Sequence, residues 1–237
     1  MNPIHCLRQS MLNALACLLA HSPASPHGET ATAIPLRVAP RLSAGDIILV
    51  RTNSWYSRAI SLLTGSRWSH VAICIRDSAS EDSTGASGDW IVEADVLDGV
   101  RRVSLAEFAG ADLRVIRPMG LDAGARASLV AYLLGRIGSG YDLEHILSLT
   151  WLLVAQRLGS SRAGSGRLRA ADPARAICST LVAHALQAAG LPLAIERPIA
   201  CIGRGLSLDH LVPGDFEHAT GMTTVFDSRL ATGCCAA

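Results

Sequence analysis

Aromatic residues and net charge are both scarce in this chain. Phe, Trp and Tyr make up 4% of the 237 residues, and the formal net charge at pH 7 is +1. Proteins that bind nucleic acid typically present a basic face, and those that bind single strands also offer aromatic side chains on which bases stack. We therefore expect no nucleic-acid partner.

The seven cysteines also lack the spacing of a metal site or a disulfide framework. Their number is odd, and the sequence contains no C-x-x-C pair and no Cys/His ligand pattern. We therefore predict no zinc site and no cofactor. The adjacent residues Cys234 and Cys235 fall in a C-terminal tail, where lipidation or redox chemistry is the alternative to simple fraying.

A long apolar run is missing as well. The stretch from Met11 to Ala20 is shorter than the roughly 20 residues that a membrane-spanning helix needs. With Arg8 before it and the small residues 22–24 after it, the stretch resembles a weak secretory signal, and a disordered or packed extension is the alternative. We expect a location in the cell envelope or periplasm if the signal is real, and in the cytoplasm otherwise.

The length and composition of the chain are typical of one folded domain. About half of the residues are hydrophobic (49%), which is enough for one core. We predict a signal-like segment and Pro-rich linker over residues 1–41, a folded domain over 42–215 and a tail over 216–237.

Two short runs, about a hundred residues apart, carry the chemistry. In residues 69–75, His70 opens an apolar run that is rich in β-branched residues and is typical of a buried strand. In residues 177–182, Cys178 begins an apolar run with helical spacing, which Gly190 ends. A thiol at a helix N-terminus beside an imidazole has a lowered pKa, so this pair predicts a thiol nucleophile with a general base.

Glu93 is the candidate for a third role. It lies in the apolar run 90–94, which we predict to be the antiparallel partner of the His70 strand. Burial of an unpaired carboxylate is costly, so we expect Glu93 to pair with the His70 imidazole and to orient it. Taken singly, each of the three residues is more often an ordinary one: a buried cysteine, a core histidine or a surface carboxylate.

Four further elements follow from local signals. Residues 47–50 and 112–117 are predicted strands, and the second is stopped by a proline. Residues 55–64 form a predicted helix that ends at Gly65, and a second predicted helix is capped by Asp122 and runs to about Ile137.

Six segments in this order resemble the permuted papain-like amidases of the YiiX type, which are relatives of the NlpC-type cell-wall peptidases. The segments are 42–50, 69–73, 92–94, 103–108, 141–142 and 178–182. The resemblance covers roughly residues 42–192 and implies a Cys178, His70 and Glu93 triad. The chain departs from the family pattern at Ile177, where an aromatic residue is common, and at Ala72, where glycine is common.

The resemblance implies an α+β fold of the permuted papain-like (NlpC) type, with an antiparallel, barrel-like sheet packed by helices. Candidate substrate-binding residues adjoin the proposed triad or belong to the family segments: Trp68, Ser69, Tyr141 and Ser179. The strongly apolar stretch 143–158 is either a core helix or the wall of an acyl-chain pocket with peripheral membrane contact, and in the second case Trp151 and Leu152 are wall residues.

These features together predict a cysteine-dependent hydrolase that cleaves an amide or ester bond through an acyl-enzyme. By resemblance, the substrate is a cell-wall peptide, a γ-glutamyl or lysyl amide, or a lipid acyl group. Two other classes stay open: a catalytically silent module that binds a peptide or lipid, and a membrane-associated structural protein.

Overall fold

The computed structural model describes residue 38 and residues 41–52, 54–76, 91–146, 149–150, 175–195 and 207–232. The predicted signal and nearly all of the linker lie outside these residues. The same holds for Trp151, Leu152 and the adjacent cysteines near the C-terminus.

The centre of the fold is a six-stranded sheet in which every pair of neighbours is antiparallel. Its strands are β1 (Ile47–Arg51), β2 (His70–Cys74), β3 (Ile91–Asp95), β4 (Gly99–Val103), β5 (Asp112–Pro118) and β8 (Met222–Asp227). Their spatial order is β4-β3-β2-β1-β5-β8.

The sheet is open, which corrects the predicted barrel-like closure. A closed barrel would require hydrogen bonds between β4 and β8, and within the described residues these two strands are instead the opposite edges of the sheet. The antiparallel pairing of β2 with β3, in contrast, is confirmed: Ile73 lies opposite Val92 and Cys74 lies opposite Ile91.

Three helices begin and end close to the positions that the sequence predicts: α1 (Trp55–Thr64), α2 (Ala123–Arg136) and α3 (Cys178–Ala188). A short helix, α4 (Ser228–Thr232), lies in the segment predicted as a tail. Ser54 caps α1, whose last turn ends at Gly65 with φ +69°, a conformation that glycine adopts without strain. Asp122 caps α2 by accepting a 2.8 Å hydrogen bond from the Ala125 N–H.

Short elements complete the described structure. A two-stranded parallel sheet joins β6 (Gly140–Tyr141) to β7 (Arg175–Ala176), and residues 143–146 and 149–150 are helical. Short 3₁₀ helices occupy Leu105–Phe108, Leu208–His210 and Pro213–His218. Among the described residues, no helix combines the length and apolar character that crossing a membrane requires.

The two faces of the sheet carry separate hydrophobic clusters, as strand alternation requires. Val71 and Ile73 of β2 share one cluster with Cys178, Leu181 and Val182 of α3. On the other face, Ala72 and Cys74 belong to a cluster that includes Phe108. The helix α3 therefore packs across the sheet next to β2, which brings the two chemistry-bearing runs of the sequence together.

The last strand comes from the segment predicted as a C-terminal tail. In β8, Thr223, Thr224, Val225 and Phe226 are residue types that favour strands, and the strand pairs with β5 across an irregularity between Val115 and Ile116. The folded part of the chain thus extends past residue 215.

Candidate active site

Cys178 is the first residue of α3, and its position is fixed by the residues on both sides of it. Ile177 is extended (φ −104°, ψ 161°), and its N–H donates to the Thr180 hydroxyl oxygen at 3.2 Å. The Ser179 hydroxyl donates to the carbonyl oxygen of Leu211 at 2.6 Å. These contacts hold the start of the helix and leave Cys178 only 6% exposed.

His70 is the first residue of β2 and pairs with Val50 of β1. Its ring lies 6.3 Å from the Phe108 ring of one hydrophobic cluster, centroid to centroid, and it interacts with the side chain of Cys178, which belongs to the other cluster. The Nε2 atom lies 2.7 Å from Oε2 of Glu93, and the side chain is 23% exposed. Because Nε2 faces the carboxylate, Nδ1 is the ring nitrogen that remains for the thiol.

The environment of His70 favours its protonated form. Burial by itself lowers the pKa of the imidazole, but its side-chain interactions with Cys178 and Glu93 raise the pKa well above its ordinary value. This balance favours the imidazolium form of His70.

Glu93 is buried and is contacted on both carboxylate oxygens. Its side chain is 6% exposed, with Oε2 toward His70 and Oε1 2.9 Å from Nη2 of Arg101. Burial tends to raise the pKa of this carboxyl group, but the hydrogen bond and charge of His70, together with Arg101, lower it overall. Glu93 is therefore held as a carboxylate.

The structure thus places a thiol, an imidazole and a carboxylate in one series, in which Nε2 of His70 lies 2.7 Å from Oε2 of Glu93 and His70 interacts with Cys178. Such a series can supply a nucleophile, a proton carrier and an orienting group. The first N–H groups of α3 have no acceptor within the helix, and the positive end of the helix dipole lies at the same place. A negative charge that develops on a substrate oxygen near Cys178 would be stabilised there.

The structure buries the side chains of the four predicted substrate-binding residues that it describes, Trp68, Ser69, Tyr141 and Ser179. Trp68 is wholly buried, with the Arg67 guanidinium 5.1 Å from its ring centroid, and the Ser69 hydroxyl oxygen accepts from Ser57 at 2.6 Å. Tyr141 is 9% exposed and pairs with Ala176 in the short parallel sheet, while Ser179 serves the helix start. Their contact with a substrate stays a prediction, and Trp151 and Leu152 lie outside the described residues.

Arg101 is a site residue that our reading of the sequence missed. It lies directly opposite Glu93 in the β3–β4 register. The sequence feature that could have identified Arg101 is the hairpin between β3 and β4. Its tight turn over residues 96–98 is followed by Gly99 with φ +70°. Such a turn fixes which residues of the two strands lie opposite each other.

A second group of titratable side chains lies along α3 and the 3₁₀ turn Leu208–His210. The His184 ring nitrogen Nε2 lies 3.2 Å from Oδ1 of Asp209, and the His145 and His210 rings stack with centroids 6.4 Å apart. In the described part of the chain, no group of three or more His, Cys, Asp or Glu residues is arranged to hold a metal ion.

Comparisons with known proteins identify the family to which this arrangement is similar. Residues 41–149 match the family of permuted papain-like amidase enzymes called YaeF/YiiX, or C92. That range contains His70 and Glu93 but ends before Cys178, so the position of the cysteine comes from the structure. No curated protein matches the chain.

A solved structure shares the fold. It is the crystal structure of the metalloprotein YiiX from Escherichia coli O157:H7, with a TM-score of 0.51 and 20% sequence identity. The similarity covers 79% of this chain and 98% of the YiiX chain. The resemblance predicted from the sequence is therefore confirmed: over residues 41–149 the chain is similar to the permuted papain-like amidases of the YaeF/YiiX type.

Proposed function

We propose that this protein is a cysteine-dependent hydrolase that cleaves an amide or ester bond through an acyl-enzyme on Cys178. The observation that carries the proposal is the contact of His70 with Glu93, 2.7 Å from Nε2 to Oε2, next to Cys178 at the start of a helix. The similarity to a family of papain-like amidases supports the same class of chemistry.

In the first half of the reaction, the Cys178 sulfur attacks the substrate carbonyl carbon and forms a C–S bond. The oxyanion of the tetrahedral intermediate lies at the N-terminus of α3, where backbone N–H groups stabilise it. The intermediate collapses by breaking the bond to the leaving group, and the His70 imidazolium gives its proton to the departing nitrogen or oxygen. A thioester acyl-enzyme and a neutral imidazole remain.

In the second half, His70 acts as a general base. It takes a proton from water while the water oxygen attacks the acyl carbon, and the C–S bond then breaks. The products are a carboxylic acid, the Cys178 thiolate and the His70 imidazolium, so the resting ion pair is restored. Glu93 keeps the imidazole oriented and stabilises its positive charge in both halves.

The substrate class follows from the family similarity and the apolar stretch 143–158. We propose a small peptide amide, a γ-glutamyl or lysyl amide, or an acyl lipid as the substrate. Long- and short-chain acyl substrates, compared with peptide amides, would distinguish these classes, since each buried methylene contributes about 0.8 kcal/mol to the binding of an acyl chain.

The direct test is to trap the acyl-enzyme. Wild-type protein is incubated with the substrate panel or with a cell extract, quenched in acid and digested, and the mass of the peptide that contains Cys178 is measured. We expect an added acyl mass on that peptide, no adduct and no turnover in Cys178→Ala, and both in Cys74→Ala. Cys74 is a matched control, because it is also buried but donates to the Arg76 carbonyl at 3.0 Å on the other face of β2.

Two outcomes would contradict the proposal. Turnover by Cys178→Ala at the wild-type rate would exclude the thiol as nucleophile. Saturable binding of a peptide or lipid, with neither adduct nor turnover in the wild type, would point to the silent binding module instead.

A further inference from the structure

The side of Glu93 that faces away from His70 is covered by one guanidinium group. Nη2 of Arg101 lies 2.9 Å from Oε1 of Glu93, while Oε2 of the same carboxylate contacts the His70 ring. Among the described residues, the ion pairs of Arg101 are all with carboxylates, so it reaches the reacting atoms through Glu93.

We propose that Arg101 is a positioning residue of the hydrolase: it holds the Glu93 carboxylate ionised and aimed at His70 throughout the catalytic cycle. The inference rests on the proposed function, because it concerns the same site. It adds a fourth member, which acts through Glu93, to the series of three.

The physical need for Arg101 arises when His70 loses its proton. In the resting state, the buried carboxylate of Glu93 is compensated by the imidazolium, but after proton transfer to the leaving group the ring is neutral. A buried carboxylate without a cation would then take up a proton and would no longer stabilise the positive charge that His70 must regain in the second half. An arginine stays charged at any working pH, so Glu93 keeps a cation next to it in both halves of the reaction.

Arg101 is in turn anchored by further carboxylates of the same hairpin and of the turn that follows it. Oε2 of Glu107 lies 3.1 Å from Nη2, Oδ2 of Asp98 lies 3.6 Å from Nη1, and Oδ2 of Asp95 lies 3.9 Å from Nη2. Four carboxylates therefore surround one guanidinium, and their charges raise the pKa of Arg101 despite its partial burial, which lowers it.

Because negative charges outnumber positive ones around Arg101, the arginine is needed to keep Glu93 ionised. Without Arg101, the carboxylates of Asp95, Asp98 and Glu107 would remain near Glu93 and would disfavour its ionisation. Within the described residues, His70 faces this pair on one side, with Cys178 beyond it, and these three carboxylates face it on the other.

The strand register offers a matched control. Arg102 is the next residue of β4, is exposed, and lies on the opposite face of the strand, opposite Val92 in the register. Arg102→Met removes the same charge and the same number of atoms as Arg101→Met, and it leaves the contact with Glu93 in place.

The experiment measures the pH dependence of two quantities, the rate at which iodoacetamide alkylates Cys178 and kcat/KM on an acyl substrate. In Arg101→Met, we expect the acid limb of both profiles to move up by about 1–3 pH units, the range by which a neighbouring opposite charge lowers a carboxyl pKa. Arg102→Met should follow the wild type. Arg101→Lys, which retains a charge but loses the planar fork, should recover most of the acid limb.

A folded Arg101→Met variant with wild-type profiles would overturn the proposal and leave Arg101 a merely structural residue. If that variant does not fold, Arg101→Met with Glu107→Gln keeps the net charge of the cluster unchanged, and the acid limb should still move; a wild-type limb there would again overturn the proposal. Failure of the proposed function looks different, because Cys178→Ala would then keep its turnover whatever happens at Arg101.

Discussion

Glu93 meets His70 diagonally across two neighbouring strands rather than directly. The register sets Ile73 opposite Val92; extended by one residue it would set Ala72 opposite Glu93, and His70 lies two residues further along its strand. The Glu93 side chain spans this diagonal and brings Oε2 to 2.7 Å from Nε2. Diagonal neighbours in a sheet are about 7–8 Å apart, a distance that only a long side chain covers.

This diagonal makes the length of the carboxylate side chain testable. Glu93→Asp keeps the charge but is one methylene shorter, so it should lose the contact with the imidazole. Glu93→Gln keeps the length and can still accept the ring hydrogen bond. We expect Glu93→Gln to retain more kcat than Glu93→Asp, and His70→Ala to lose most, on the order of 10²- to 10⁴-fold.

The measurement is kcat on one acyl substrate at a fixed pH, with circular dichroism to confirm folding. Equal rates for Glu93→Asp and the wild type would show that the carboxylate acts through its charge alone. Wild-type turnover by His70→Ala would remove the base from the mechanism.

The raised pKa of His70 predicts a dependence on its two partners. Its burial opposes the charged form, while Cys178 and Glu93 favour it, so His70 should titrate above its ordinary pKa of 6.5. In Cys178→Ala and in Glu93→Gln, the midpoint should fall. Nuclear magnetic resonance titration of the imidazole signals measures this directly, and an unchanged midpoint in both variants would argue against the hydrogen-bonded series.

The same shift has a consequence for stability. Because the folded-state pKa is raised, the stabilisation from protonated His70 is fully present below pH 6.5 and is lost as the pH rises through the folded-state value. The advantage of the wild type over His70→Gln in free energy of unfolding should therefore be largest in acid and shrink toward alkaline pH. If the stability advantage of the wild type over His70→Gln grew with pH instead, it would contradict a raised pKa for His70 in the folded state.

The two buried cysteines of the described sheet and helix should differ in reactivity. Cys178 begins α3 beside His70, whereas Cys74 ends β2 in the opposite cluster and donates to a backbone carbonyl. Because the thiolate is the nucleophile, iodoacetamide at neutral pH should label Cys178 first. Peptide mapping by mass spectrometry measures the order, and faster labelling of Cys74 would contradict the assignment.

A glycine sets the hairpin that carries Arg101. Gly99 has φ +70°, and a Cβ added there would collide with the backbone carbonyl oxygen of Ser139, which accepts from the Val100 N–H at 2.8 Å. Gly120 has φ +80° but open space around it. Gly120→Ala should cost about 1–2 kcal/mol for its backbone conformation alone, and Gly99→Ala about 1–3 kcal/mol more.

Chemical denaturation measures both free energies of unfolding. The comparison isolates the collision, because the two alanines have the same backbone strain. Equal losses would mean that the 139–140 backbone moves aside without cost.

The sequence predicts those parts of the candidate site that depend on local sequence patterns. The β-branched run after His70, the apolar helix that begins at Cys178 and the caps at Asp122 and Gly65 are decided by neighbours within a few residues, and the structure has these elements where they were predicted. The order of the motifs was enough to indicate the family, since that order is a property of the chain itself.

Contacts between distant segments were decided only by the tertiary structure. Strand pairing and register decide three features: the open sheet, the addition of β8 at its edge and the diagonal contact of Glu93 with His70. A shift of the register by one residue would move every side chain of a strand to the other face of the sheet. The place of Arg101 depends on the same register. The sequence indicates which residues can form strands and helices. The packing of α3 against β2 determines which of these residues lie in contact. The burial of a side chain and the charges around it depend on those contacts, so local sequence patterns do not predict them.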